Sequence, residues 1–170
     1  MWRLTDYPAD KIEADVIVAG LYTRREMDES SFHLARRMGG FVFEQLEAAR
    51  LSFGEAMLVT PPAGWKTPWV LWLGMGDAGS FYLNTLEEVL KEGCRIMGEM
   101  RLTTPCFTLL GEGSSTGLSI AKLAETIITK TPFRSGEIFH PRREVLYKLF
   151  AALPNRFYYR LWTQEERRRA

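Results

Sequence analysis

The stretch ADVIVAGLY, residues 14–22, constrains the fold more than any other part of this 170-residue chain. A nearly unbroken apolar run rich in Val and Ile is the pattern of a strand covered on both faces. GEAMLVTPP (54–62, closed by its prolines), residues 69–73 and CFTLL (106–110) read as further strands. Between them the apolar spacing changes to three and four residues. Phe32, Ala35, Met38, Val42, Leu46 and Ala49 predict a helix over 29–50, loosened midway at Gly39 and Gly40. Asn84 reads as the N-cap of a second helix, with Glu87 at its third position and Leu86, Val89, Leu90, Ile96, Met97 and Met100 as its apolar stripe. Residues 120–128 form a third. Strands and helices alternate after residue 69, so the expected class is α/β: a three-layer α/β/α mixed sheet with helices on both faces.

The chain is about one domain long and can bury a core without staples. With 46% hydrophobic and 25% charged residues, neither a disordered nor a fibrous class is indicated. No window approaches the roughly 18 consecutive apolar residues of a membrane span, and the first fifteen residues have no apolar signal core. The expectation is a cytoplasmic protein without membrane contact. Cys94 and Cys106 have no C-x-x-C partner and no flanking histidine, so they read as reduced thiols rather than zinc ligands. His33 and His140 read as capping or packing residues.

After residue 130 the character changes. Residues 131–170 carry nine Lys or Arg against four Asp or Glu, whereas the whole chain has a net charge of +1. Pro141 suits the first turn of a helix whose stripe is Val145, Leu146, Leu149, Phe150 and Leu153, stopped by Pro154. RFYYRLW then packs four aromatics into seven residues. The expected division is an α/β domain over 1–130 and a helical, aromatic and basic extension over 131–170. That extension either packs on the same domain or forms, through residues 133–162, an interface with a second copy or a protein partner. Basic and stacking residues do not alternate as in a nucleic-acid module, so nucleic acid is not the expected partner.

Two glycine segments are candidate ligand contacts. Gly74-Met-Gly-Asp-Ala-Gly79 has the spacing of a dinucleotide fingerprint, but its helix begins late and no acidic residue ends the next strand at the required distance. A classical NAD fold is therefore not expected, and no cofactor is called for. Gly74, Gly76 and Asp77 stay as phosphate-contact candidates. Residues 111–117 (Gly-Glu-Gly-Ser-Ser-Thr-Gly) precede a helix: Gly111, Gly113 and Gly117 permit close backbone approach, and Ser114, Ser115 and Thr116 supply hydroxyls. The segment lacks a Walker lysine, so nucleoside-triphosphate hydrolysis is not expected; the plain alternative is a polar turn.

Taken in order, ADVIVAGLY, RRMGGFVFEQLEAARLSFGEAMLVTPP, WVLWLGMGDAGSF and CFTLLGEGSSTGLSIAKLAETI resemble the N-terminal, macro-domain-like domain of the leucyl (cytosol) aminopeptidases over roughly residues 10–130. The resemblance implies a macro-domain-like fold. It implies no peptidase chemistry, because the family's two metals sit in a separate C-terminal domain whose motif begins N-T-D-A-E-G-R. Here Asn84-Thr85 continues Leu-Glu-Glu, and aminopeptidase activity is expected to be absent. Working macro domains bind ADP-ribose with an Asp near the first strand for adenine, for which Asp10 or Asp15 could stand, and with a second glycine loop that residues 111–117 resemble. After Val18 the sequence reads AGLYTRREMDE, without the expected asparagines or first glycine loop, so hydrolysis of ADP-ribosyl groups is not expected. The leading expectation is a stand-alone, non-catalytic macro-like domain with an assembly, regulatory or binding role. The alternative is a receptor for ADP-ribose or a nucleotide. An enzyme of unknown reaction comes third, since no nucleophile–base pair or ligand cluster stands out.

Overall fold

The computed structural model describes residues 1–170, apart from the side chain of Arg25. Seven strands and six helices follow in the order β1 (Trp2–Thr5), β2 (Val16–Tyr22), α1 (Glu29–Met38), α2 (Gly40–Ala49), β3 (Ala56–Val59), β4 (Val70–Gly76), α3 (Leu83–Glu99), β5 (Pro105–Thr108), α4 (Ile120–Thr129), β6 (Glu137–Phe139), α5 (Arg143–Ala152), β7 (Phe157–Arg160) and α6 (Gln164–Arg169). They form one mixed sheet of order β3-β4-β2-β5-β6-β1-β7. Only β3 runs antiparallel to its neighbour.

β2 lies inside the sheet between β4 and β5, and all seven of its residues are buried. Its side chains alternate between two cores. Val16 and Val18 pack in the core that α3, α4 and α5 supply with Leu90, Leu123 and Leu146. Ile17, Ala19 and Leu21 pack in the other, where α1 and α2 supply Leu34, Met38, Val42 and Leu46. This is the three-layer α/β/α arrangement expected. α1 and α2 separate where the sequence suggested, because Gly39 adopts a φ of 99°, open to glycine and costly for other residues. Among the described residues no helix is long and apolar enough to cross a membrane.

Several details differ from the sequence reading. α3 begins at Leu83 after Tyr82, so Asn84 lies in its first turn rather than at its cap; the Thr85 hydroxyl accepts the Tyr82 N–H at 3.2 Å. β1, β6 and β7 are strands that the sequence did not announce. RFYYRLW supplies β7, which pairs with β1 from Trp2↔Phe157 to Thr5↔Arg160 and widens the same sheet. Asp6, just after β1, then holds the chain beyond β7. Its carboxylate accepts from Arg143 Nε (2.6 Å) and from the Trp162 N–H (2.7 Å), and Arg143 Nη2 also donates to the Trp162 carbonyl. Tyr7 donates to Glu166 (2.7 Å) and carries the Arg160 guanidinium over its ring.

β4 runs through Gly74 and Gly76, so these glycines belong to a strand and not to a loop. A β-carbon on Gly74 would overlap the Ser52 carbonyl oxygen, because the 52–55 turn folds directly across the strand. That turn is fixed by Gly74 N–H to the Glu55 carbonyl at 2.8 Å. The close approach of backbone to backbone explains the glycine. Gly74→Ala is therefore expected to cost about 3 kcal/mol or more, whereas Gly40→Ala, with nothing within 4 Å of its new methyl, should be neutral or stabilise by a few tenths. Chemical denaturation of the two variants checks this; equal midpoints would mean that the 52–55 turn does not sit on Gly74.

Candidate functional site

The parallel strands β1, β2, β4, β5 and β6 all end on the same edge of the sheet, and α1, α3 and α4 begin there. In open α/β sheets such an edge is where ligands bind, because it gathers loops and helix N-termini. The two glycine segments meet on it. The Ser115 N–H and hydroxyl both donate to the Ala78 carbonyl (3.1 and 3.2 Å), and the Thr116 hydroxyl donates to the Phe81 carbonyl.

That contact consumes most of the candidate groups. Ser115 and Thr116 tie the loops together, and Ser114 lies 3.1 Å from the Thr116 hydroxyl. Asp77 accepts the Gly79 N–H at 2.7 Å. Gly76 is covered by Phe53, and Gly111 packs against Leu123 and Phe81. Gly113 and Gly117 differ: both have positive φ (78° and 71°) and open space where a side chain would be. Asp10 and Asp15 lie elsewhere. Asp10 pairs with Arg37 at 2.9 Å beside the last turn of α1. Asp15 sits before β2, at the far end of the strands from the glycine loops, and accepts the Thr103 and Thr104 N–H groups. Those amides hold its carboxyl below the ordinary range.

Between the glycine loops stands Tyr22, at the end of β2. Its ring meets Phe81 edge-on at 5.5 Å and its hydroxyl donates to the Glu112 carbonyl at 3.4 Å. Burial, with Asp28 and Glu112 nearby, pushes the phenol above its usual range. This bulky residue stands where the resemblance called for asparagines.

The N-terminus of α1 is filled from within. Asp28 caps it, accepting the Ser31 N–H (2.8 Å) and the Ser30 hydroxyl (2.7 Å) on one oxygen and the Ser31 hydroxyl (2.6 Å) on the other. Ser31 in turn meets the Gly20 N–H (3.1 Å) and the Thr108 hydroxyl (2.9 Å), and Ser30 accepts the Leu109 N–H (2.9 Å). One buried carboxylate thus joins α1 to β2 and β5. The sequence reading passed over Asp28, although an Asp directly before a helical stripe is an N-cap signal.

A second polar cluster crosses the same edge. His140, fully buried after β6, has its Nε2 at 3.0 and 3.1 Å from the Glu112 carboxylate and 3.7 Å from Glu29, which pairs with Arg142 at 2.9 Å. Glu29, Glu112 and His140 each offer a ligand atom, all within 4.8 Å of one another. The Arg142 N–H donates to His140 Nδ1 at 3.1 Å, so Nε2 carries the ring proton and donates to Glu112. A ligating histidine normally donates its other N–H away from the metal. Here that side faces a donor, and the cluster is built to lock the loop after β5 to β6 and α1. His140 is thus more than the packing residue the sequence suggested, whereas His33 packs on Phe139 at 5.8 Å.

Complete burial raises Asp28 from 3.8 to about 6 against its hydrogen bonds. A carboxyl raised in this way stabilises the fold fully below its unfolded value, and the contribution is lost as pH rises through the folded one. The difference is on the order of 3 kcal/mol. The thermal midpoint of the wild type should therefore fall by several degrees relative to Asp28→Asn between pH 4 and 7. A constant difference between the two across that range would refute the raised value.

No family model matches the chain, and no curated protein matches it. Solved structures do. The Trypanosoma brucei macrodomain in complex with ADP-ribose superposes with a TM-score of 0.68 at 14% identity, over 89% of this chain and 68% of that one. The same macrodomain in complex with ADP gives 0.67 at 13% identity, over 89% and 67%. The macrodomain of Mycobacterium tuberculosis DarG gives 0.66 at 13% identity, over 84% of this chain and 99% of that one. The chain has a macrodomain-like fold.

Proposed function

We propose that the chain binds a ligand of the ADP-ribose class, an adenosine diphosphate with or without a second sugar, at the edge where β2, β4 and β5 end. The observation that carries this reading is the segment 113–119 at the head of α4. The α1 entry already holds a carboxylate of the chain, Asp28; α3 is closed by Tyr82 and Thr85, and the short turn before it by Asp77, which accepts the Gly79 N–H. α4 is capped only by the neutral Ser119 hydroxyl, which accepts the Lys122 N–H at 3.2 Å. Its positive dipole end is left for an anion, beside the open backbone of Gly113 and Gly117. The complexes of similar fold with ADP and ADP-ribose give the ligand class to test first. A narrower kinship with the N-terminal domain of leucyl aminopeptidases rests on the order of the sequence segments alone and adds no catalytic residue.

Thermal unfolding with ADP-ribose, ADP, AMP and NAD tests the reading. A ligand at about 100 times its Kd adds roughly 2.7 kcal/mol and shifts the midpoint by several degrees. Gly113→Val should abolish the shift. Gly64→Val has comparable backbone strain, since Gly64 also has a positive φ (92°) and open surroundings in the loop before β4; it should leave the shift intact. No shift with any ligand, or equal shifts in both variants, would overturn the proposal.

An assembly role is the second reading, favoured by Tyr147 and Tyr158, which stay 48% and 45% exposed beside the sheet edge made by β7. Sedimentation should then show self-association that Tyr147→Ser with Tyr158→Ser removes; a monomer at all concentrations would exclude a second copy of the chain as the partner.

A further inference from the structure

At the opposite end of the sheet, where α3 and α4 finish and β5 and β6 begin, lies a cavity of about 430 Å³. Leu102, Phe133 and the Cys94 thiol give it an apolar lining, and Arg101 and Arg134 add two guanidinium groups; no carboxylate takes part. Several arginines elsewhere are paired, Arg3 with Glu137, Arg37 with Asp10, Arg95 with Glu92 and Glu99, Arg143 with Asp6. Exposed ones such as Arg50 and Arg156 have no ion pair among the described residues, but they do not line this cavity. The side chains of Arg101 and Arg134 have no partner among the described residues. Arg101 also sits on left-handed backbone (φ 58°), where its N–H bonds to the Gly98 carbonyl (3.1 Å) and the Leu102 N–H to the Met97 carbonyl (2.9 Å). Helices usually close this way with glycine, because an L side chain there brings its β-carbon too close to the following carbonyl oxygen. The chain thus carries a long cation at a strained position beside an apolar hollow. Gly98 opens the same wall, with nothing within 4 Å of its missing side chain.

We propose that this cavity is a second binding site, separate from the glycine loops, for a small organic anion with a carboxylate head and an apolar body. The head meets Arg101 and Arg134, whose planar guanidinium groups match a carboxylate. The body lies on Leu102 and Phe133. A volume of this size suits a small molecule, and apolar walls with a few placed polar groups are the usual composition of such sites.

Cys94 gives a readout of occupancy that does not depend on the other site. It lines the cavity, whereas Cys106 is completely buried in β5, so alkylation by iodoacetamide reports on Cys94. Burial pushes its thiol up to about 11, and the reaction is best followed at mildly alkaline pH. Millimolar octanoate should slow the alkylation several-fold, and octanol at the same concentration should not. In the Arg101→Gln, Arg134→Gln double variant the protection by octanoate should disappear while the thermal midpoint stays that of the wild type. ADP-ribose should leave the alkylation rate unchanged. Equal protection by octanol, protection that survives in the double variant, or none by millimolar octanoate would each overturn the proposal.

Discussion

The structure depends on one constraint: β2 is hydrogen-bonded along both edges and buried on both faces. A strand in that position can carry no charge, and because β4 and β5 run parallel to it the chain must recross the sheet before entering each of them. Every crossover helix therefore starts at the edge where the parallel strands end. The edge collects helix N-termini, each with unpaired N–H groups and a positive dipole end. The chemistry of the site follows from how the chain disposes of them.

It disposes of α1 with its own anion. Asp28 caps that N-terminus, and its three hydrogen bonds, which also fix the ends of β2 and β5, offset part of the cost of burying the charge. Glu112 is held by His140 and Glu29 by Arg142, so the middle of the edge is filled by internally matched groups. What stays open is the entry to α4. The same logic makes Tyr22 intelligible: its ring fills the gap between the glycine loops while its hydroxyl reaches the Glu112 carbonyl. The open part of the edge is narrower than a glycine count would suggest, because seven of the candidates, Gly74, Gly76, Asp77, Gly111, Ser114, Ser115 and Thr116, spend their hydrogen bonds or surfaces on each other or on the chain.

The fold was legible wherever the sequence is locally periodic. ADVIVAGLY shows its burial directly, and the stripes of α3, α4 and α5 announce the helices that cover one face. β1, β6 and β7 have three or four residues each, too few to show a period, and they form because the first strand finds partners at the other end of the chain. Of the candidate site, the sequence singled out the segment 111–117 but could not separate its glycines. Gly111 is required by Leu123 and Phe81, Gly74 by Ser52, and only Gly113 and Gly117 by neither. A glycine needed for close packing and one that leaves room for a ligand look the same until the neighbour distant in sequence is known. The pairing of Glu112 with His140 was hidden for the same reason, since β5 and β6 bring it about.

The two ends of the sheet recruit anions by different means. At the end where α1, α3 and α4 begin, backbone N–H groups and helix dipoles do so, and the chain competes with its own carboxylates. At the other end α3 and α4 finish, and their carbonyl ends favour cations. Arg101 and Arg134 belong to that pattern, but side chains rather than backbone carry the positive charge there. A backbone cradle selects by shape and loses little to salt, because its dipoles are fixed and close to the ligand. Two exposed guanidinium groups are screened over about 10 Å at ordinary ionic strength. They gain strength only where an apolar wall excludes water from one side, which is the contribution of Leu102 and Phe133. The macrodomain-like sheet thus offers one edge suited to a phosphate held by main chain and an opposite cavity suited to a carboxylate held by side chains.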